Sequence, residues 1–101
     1  MSASHAEQAL VGAVLLDPSI LGELHDLVHP ADLTSEPLRE VLRAAEGLRT
    51  DGEAVDLVTV TERLASRDML PGAGGAAFVA DLVARTPTAA NWRSYAATVA
   101  A

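Results

Sequence analysis

The sequence predicts an all-α domain of about six helices. Half of the residues are hydrophobic, yet only Phe78, Trp92 and Tyr95 are aromatic, so the core must be built from Leu, Val and Ala. Alanine in such abundance favours helix, because it loses no side-chain entropy there. Apolar residues also recur at three- and four-residue spacing in segments separated by Pro and Gly, the period of helices that bury one face. A chain of 101 residues makes one domain. Folding at that length removes about 60–70% of the unfolded surface from water.

The first helix is expected over residues 4–16, with Ser4 as N-cap and Glu7 at capping-box spacing. Asp17-Pro18 ends it, since a residue before proline is pushed out of the helical region. Pro18 opens a second helix with Ile20, Leu21, Leu24 and Leu27/Val28 on one face, and Pro30 stops it. A third begins near Ser35, with Pro37 tolerated in its first turn and a stripe of Leu38, Val41, Leu42, Ala45 and Leu48. Asp51-Gly52 closes it. Asp56 caps a fourth helix carrying Leu57, Val60 and Leu64. The β-branched residues between Ala54 and Val60 also permit a short strand, but helix is preferred because an isolated strand has no partner. Helix five follows the Gly72–Gly75 loop and carries Phe78, Val79, Leu82 and Val83. After Thr86-Pro87, Thr88 can cap a last helix bearing Trp92, Tyr95, Ala96 and Val99, which reaches Ala101 without a C-cap signal.

The formal charge is −7, and all seven basic residues are Arg. Duplex binders neutralise phosphates with clustered Lys and Arg. Here the arginines stand singly or as i,i+4 pairs among acids, so strong direct nucleic-acid binding is not expected and protein partners are. With no cysteine, neither a disulfide framework nor a thiolate metal site is available. No signal peptide is visible, and the longest apolar run, residues 9–16, is too short to span a bilayer. A cytoplasmic protein is the expectation.

Few residue patterns point to chemistry. His25 and His29 stand four apart, the spacing that gives zinc two ligands on one helix face. No third ligand is evident, and exposed histidines at a helix end explain the pair equally well. Gly72–Gly75 precedes a helix, as phosphate-cradling loops do, but the Lys-Ser/Thr of a P-loop is missing. No spacing marks a nucleophile elbow or a triad. The expectation is thus no catalytic, cofactor or metal residue. Trp92 and Tyr95 share one face of the last helix. They are either core, with a polar edge at the surface, or together with Val99 a face on which a partner packs.

Four ordered motifs resemble a known family. Ala6-Glu7-Gln8-Ala9-Leu10-Val11-Gly12-Ala13-Val14-Leu15-Leu16-Asp17 is similar to the opening "EAEQ-x-V-L-G-A-L-L-x-D" of the amino-terminal domain of DnaB-type replicative helicases. Residues 52–60 follow its "G-x-x-V-D-x-V-T-L", and residues 64–75 its "L-x-x-x-G-x-L-x-x-x-G-G", with Asp68 where the first glycine is usual. Arg85-Thr86-Pro87-Thr88-Ala89-Ala90-Asn91, then Tyr95-Ala96 and Val99, resemble "N-T-P-S-A-A-N…Y-A-x-x-V". The family's "D-F-Y-x-x-x-H" reads Asp32-Leu33-Thr34 here, with Leu38 at the histidine. Leu33 keeps a core plug, while the lost Tyr and His remove polar contacts. The pattern is that of a divergent member or a paralogue.

The resemblance implies a compact orthogonal helical bundle forming a non-catalytic collar and docking domain. Its partners would be other subunits of a hexameric helicase and a primase or loader protein. ATP and Mg would belong to a motor domain outside these residues, and a helical hairpin would follow residue 101. The isolated chain would then be monomeric or weakly dimeric. The alternative is a stand-alone helical regulator or DNA-binding protein, supported by the Arg39/Arg43 pair alone.

Overall fold

The structure, a computed structural model, describes residues 3–101. It contains six α-helices and, among the described residues, no strand. They are α1 (Ala3–Leu16), α2 (Leu21–Leu24), α3 (Glu36–Thr50), α4 (Leu57–Ser66), α5 (Ala76–Arg85) and α6 (Trp92–Ala100). Single 3₁₀ turns, Pro18–Ile20 and Pro30–Asp32, flank α2. The Cα radius of gyration is 12.0 Å, close to the roughly 13 Å of a single-domain chain this long.

α1 is the axis of the fold. Every residue from Leu10 to Leu15 is buried, and the helix packs against α3, α5 and α6. A helix that is apolar on all sides belongs inside. α3 is amphipathic instead, and it buries the stripe read from its spacing, Leu38, Val41, Leu42, Ala45 and Leu48. Ser35 is its N-cap, with the hydroxyl oxygen accepting from the Leu38 amide at 3.4 Å, and Pro37 sits in the first turn. α4 starts at a reciprocal cap: the Asp56 carboxylate accepts from the Thr59 amide and the Thr59 hydroxyl oxygen from the Asp56 amide, both at 2.9 Å. Those two bonds, with Val60 and Leu64 buried on one face, make the segment a helix and not a strand.

Three expectations need correction. Ser4 lies inside α1, which already includes Ala3, so it is not the N-cap. The second helix is one turn long. Beyond Leu24 the amides of Asp26 and Leu27 bond three residues back, to Glu23 and Leu24, a tightened end that brings Val28 into the core and leaves Leu27 half-exposed. His29 is extended, as a residue before proline must be. Thr88 does not cap α6. Its hydroxyl oxygen accepts from Ala90 within a turn, and α6 begins four residues later, with Asn91 at its N-cap and no side-chain cap bond.

Two long-range devices hold the helices in register. Glu7, read as a local cap, is 2% exposed and reaches across to the segment before α3. Its carboxyl oxygens accept from the Thr34 amide (2.9 Å), the Thr34 hydroxyl (2.7 Å) and the Ser35 amide (3.2 Å). A buried carboxyl group is tolerated because its acceptors are filled. Thr34 therefore supplies polar contacts at the position where the family's Tyr is missing, and Leu33 beside it is buried as expected. The second device is Gly12. A Cβ there would lie 1.9 Å from the Thr86 hydroxyl oxygen and 3.0 Å from the Leu82 carbonyl oxygen, so only glycine lets α1 and the end of α5 touch. The Thr86 hydroxyl is itself buried and donates to that carbonyl at 2.7 Å.

Candidate functional site

The last helix divides the three residues expected at a partner face. Trp92 is in the core, 6% exposed, with the Arg93 guanidinium 4.6 Å over its ring. Arg93 also pairs with Glu23 at 2.7 Å, tying α6 to α2. Tyr95 and Val99, one and two turns further on, are half-buried and pack on the edge of the core. Trp92 is thus covered within this chain, whereas Tyr95 and Val99 present part of their surface.

Tyr95 lines a groove of about 580 Å³ between α1, α5 and α6. Phe78, Leu82 and Pro87 supply apolar wall, and His5 and Gln8 close the α1 side. Asp81 and Arg85, ion-paired at 2.7 Å on α5, form the polar rim. Amphipathic aromatics at the edge of a groove suit protein recognition, since each offers a rigid apolar body with few rotamers to immobilise. Sequence reading reached this groove only through Tyr95. The i,i+4 pairs Phe78/Leu82 and Asp81/Arg85 were visible, but nothing local says that α1 and α6 leave Phe78 on α5 partly uncovered.

The other candidates resolve plainly. His25 and His29 do not share a helix face, because α2 ends at Leu24. The His25 Nδ1 lies 3.2 Å from the Leu21 carbonyl oxygen, and His29 caps the Pro30–Asp32 turn. Among the described residues no group of three His, Cys, Asp or Glu is arranged to hold a metal ion. Gly74 and Gly75 have φ of +89° and +87°, the left-handed backbone needed to lead into α5. The Arg39/Arg43 pair is engaged within the chain: Arg39 donates to the Leu33 and Thr34 carbonyl oxygens and Arg43 to Glu40 at 2.7 Å. A recognition helix needs such side chains free to reach bases.

One charged group is poorly served. Glu46 on α3 has a buried carboxyl oxygen, Oε2, with no hydrogen-bond partner. Burial raises its pKa above the usual 4.5, partly opposed by His29, His25 and Arg49. No described helix is long and apolar enough to cross a membrane.

The fold and its grooved surface define a small all-helical domain whose usable features are packing faces. Comparison with known proteins places it. Residues 2–101 match the family described as the DnaB-like helicase N terminal domain, and the chain belongs to that family. It is 41% identical over 91 residues to the replicative DNA helicase DnaC of Bacillus subtilis (strain 168), covering 90% of this chain and 20% of that one. It is 40% identical, with the same coverage, to the replicative DNA helicase DnaB of Geobacillus stearothermophilus. The crystal structure of the N-terminal domain of DnaB helicase from Mycobacterium tuberculosis superposes with a TM-score of 0.88 at 35% identity, over 94% of this chain and 66% of that one. The chain thus spans about one fifth of the length of those helicases, and residues 2–101 are N-terminal domain, not motor.

Proposed function

We propose that this domain is the non-catalytic collar and docking module of a replicative DNA helicase. It would help subunits assemble into a hexamer and offer a surface to a primase or a helicase loader, in the cytoplasm. The observation that carries this reading is the match of residues 2–101 to the helicase N-terminal domain. The partly exposed groove at Tyr95 supports it as a place where another helix can pack. ATP and Mg would be handled by a motor outside these residues, and single-stranded DNA likewise, in keeping with a formal charge of −7 here.

The test uses the full-length parent chain carrying Tyr95→Arg. Tyr95 is half-buried at a rim, so the isolated domain should keep most of its stability. Sedimentation should show fewer hexamers, or primase capture and stimulation should fall, while ATP hydrolysis by the remaining assemblies persists. A variant that assembles, captures primase and accepts a loader like the parent would remove the groove from the proposal. A parent chain with no ATP-dependent unwinding would sink the helicase reading itself.

A further inference from the structure

A second cleft lies on the opposite partnership of helices, between α3 and α4, and it gathers arginines in an acidic domain. Three of the chain's seven arginines, Arg43, Arg63 and Arg67, line a notch of about 200 Å³ in which Glu40 is the only acid. Its floor is apolar: Ala44 and Leu64 are buried, and Met69 is 39% exposed, one of few large hydrophobic side chains so uncovered. Thioethers at such a rim adapt to varied partner shapes.

The guanidiniums keep donors in reserve. Arg63 is held by Nη2 alone, to Asp51 at 2.9 Å and Glu53 at 3.1 Å, and its side chain is only 13% exposed. Its Nη1 lies along α3, where a Cβ on Gly47 would come within 3.3 Å. Arg63 is therefore a pre-oriented wall and not a mobile surface charge. Arg43 binds Glu40 through Nη1 only, and Arg67, the C-cap residue just after α4, lines the same notch with its guanidinium in no hydrogen bond or ion pair among the described residues.

We propose that this notch docks a short acidic segment of a partner protein, seating one apolar side chain on Ala44, Leu64 and Met69 and a carboxylate across Arg43 and Arg67. Planar guanidinium forks match carboxylates in two-point hydrogen bonds. A nucleic-acid strand is disfavoured, because a formal charge of −7 on the domain repels a strand with many phosphates, whereas one carboxylate needs only the open donors of Arg43 and Arg67. One isolated carboxylate beside an apolar anchor satisfies both the charge and the floor.

The probe is a blocked octapeptide of alternating leucine and glutamate pairs, titrated into the isotope-labelled 101-residue chain and followed by amide NMR. The expected result is shifts clustered at Ala44, Gly47, Leu64 and Met69. Binding should weaken about tenfold or more in the Arg43→Glu/Arg67→Glu double variant, and similarly when the peptide's glutamates become glutamines. Arg63 is left unchanged because it braces the fold. Thermal melting of the double variant checks that it is still folded, and Arg67→Gln alone should give an intermediate loss. Shifts confined to the Tyr95 groove, no shift at millimolar peptide, or equal binding by the double variant would overturn the proposal. So would tighter binding of a thymidine oligonucleotide, or light scattering in which the notch arginines drive dimerisation of this chain.

Discussion

The two flanks of α1 are sealed in different ways. On one flank Glu7 reaches to Thr34 and Ser35 and closes the seam with α3 by three hydrogen bonds, all within 3.2 Å. On the other, Gly12 lets Thr86 and the end of α5 approach directly, a contact of shape with a single internal hydroxyl bond. The second seam widens past the contact into the Tyr95 groove. A hydrogen-bonded seam fixes register and leaves no unsatisfied surface, whereas a steric contact fixes distance at one point and leaves the neighbouring wall uncovered. That asymmetry explains why the open groove lies on the α5–α6 side.

Each seam can be broken separately. Gly12→Ala has the largest expected effect, a loss of about 2–3 kcal/mol, because the new methyl displaces the Thr86 hydroxyl and meets a backbone carbonyl that cannot rotate away. Urea denaturation measures it. Adding Thr86→Ala should recover part of the loss, and strict additivity of the two changes would show that the seams do not work as described. Glu7→Gln comes next, at about 1 kcal/mol, since the amide oxygen still accepts from the Thr34 and Ser35 amides and the Thr34 hydroxyl must turn to accept from the new NH2, so charge-assisted bonds become neutral ones. Combined with Thr34→Val it should cost less than the sum. If Glu7→Gln is silent, the charge of Glu7 adds nothing to the α1–α3 seam.

Outside the seams the effects are smaller. Asp68 has φ +56°, the single non-glycine residue in the left-handed region among the described residues, at the place where the family's motif carries glycine. Asp68→Gly should therefore raise stability by about 0.5–1 kcal/mol, read as a higher melting temperature. An unchanged or lower value would mean that the greater freedom of glycine in the unfolded chain offsets the relief.

Glu46→Gln gives the smallest change and the only one tied to pH. With its folded pKa raised, Glu46 favours the fold fully below about 4.5, its unfolded value, and that contribution is lost as pH rises through the folded pKa. At pH 7 the glutamine variant should be more stable by a few tenths of a kcal/mol, after allowance for solvent screening of a half-buried group. The gap should close as the solution is acidified. A gap that widens on acidification would assign the destabilisation to something other than the carboxylate charge.

Much of this was readable along the chain. The stripe in α3, its start near Ser35, the Asp56 cap, the glycine lead into α5 and the four family motifs all depend on residues within a few positions of one another, where backbone geometry acts directly. The Ser4 and Thr88 caps were local misreadings, displaced by a helix that starts earlier and by a turn two residues long, but the others share one cause. Glu7 has the spacing of a local cap, but its partners are 27 and 28 residues away. Leu27 and Val28 look interchangeable until the chain turns and only Val28 enters the core. The Tyr95 groove was legible by a single residue, and the arginine notch not at all, since Arg43 on α3 and Arg67 just after α4 come to line one cleft only after folding.

The sequence by itself determined the helices, most of their ends and the family to which the chain belongs, because periodicity, capping and motif order are properties of neighbours. Tertiary structure alone decided which carboxyl group would be buried, which glycine would be indispensable and which surfaces would stay open. Those outcomes rest on contacts between distant segments, and their energies have no term until the segments meet.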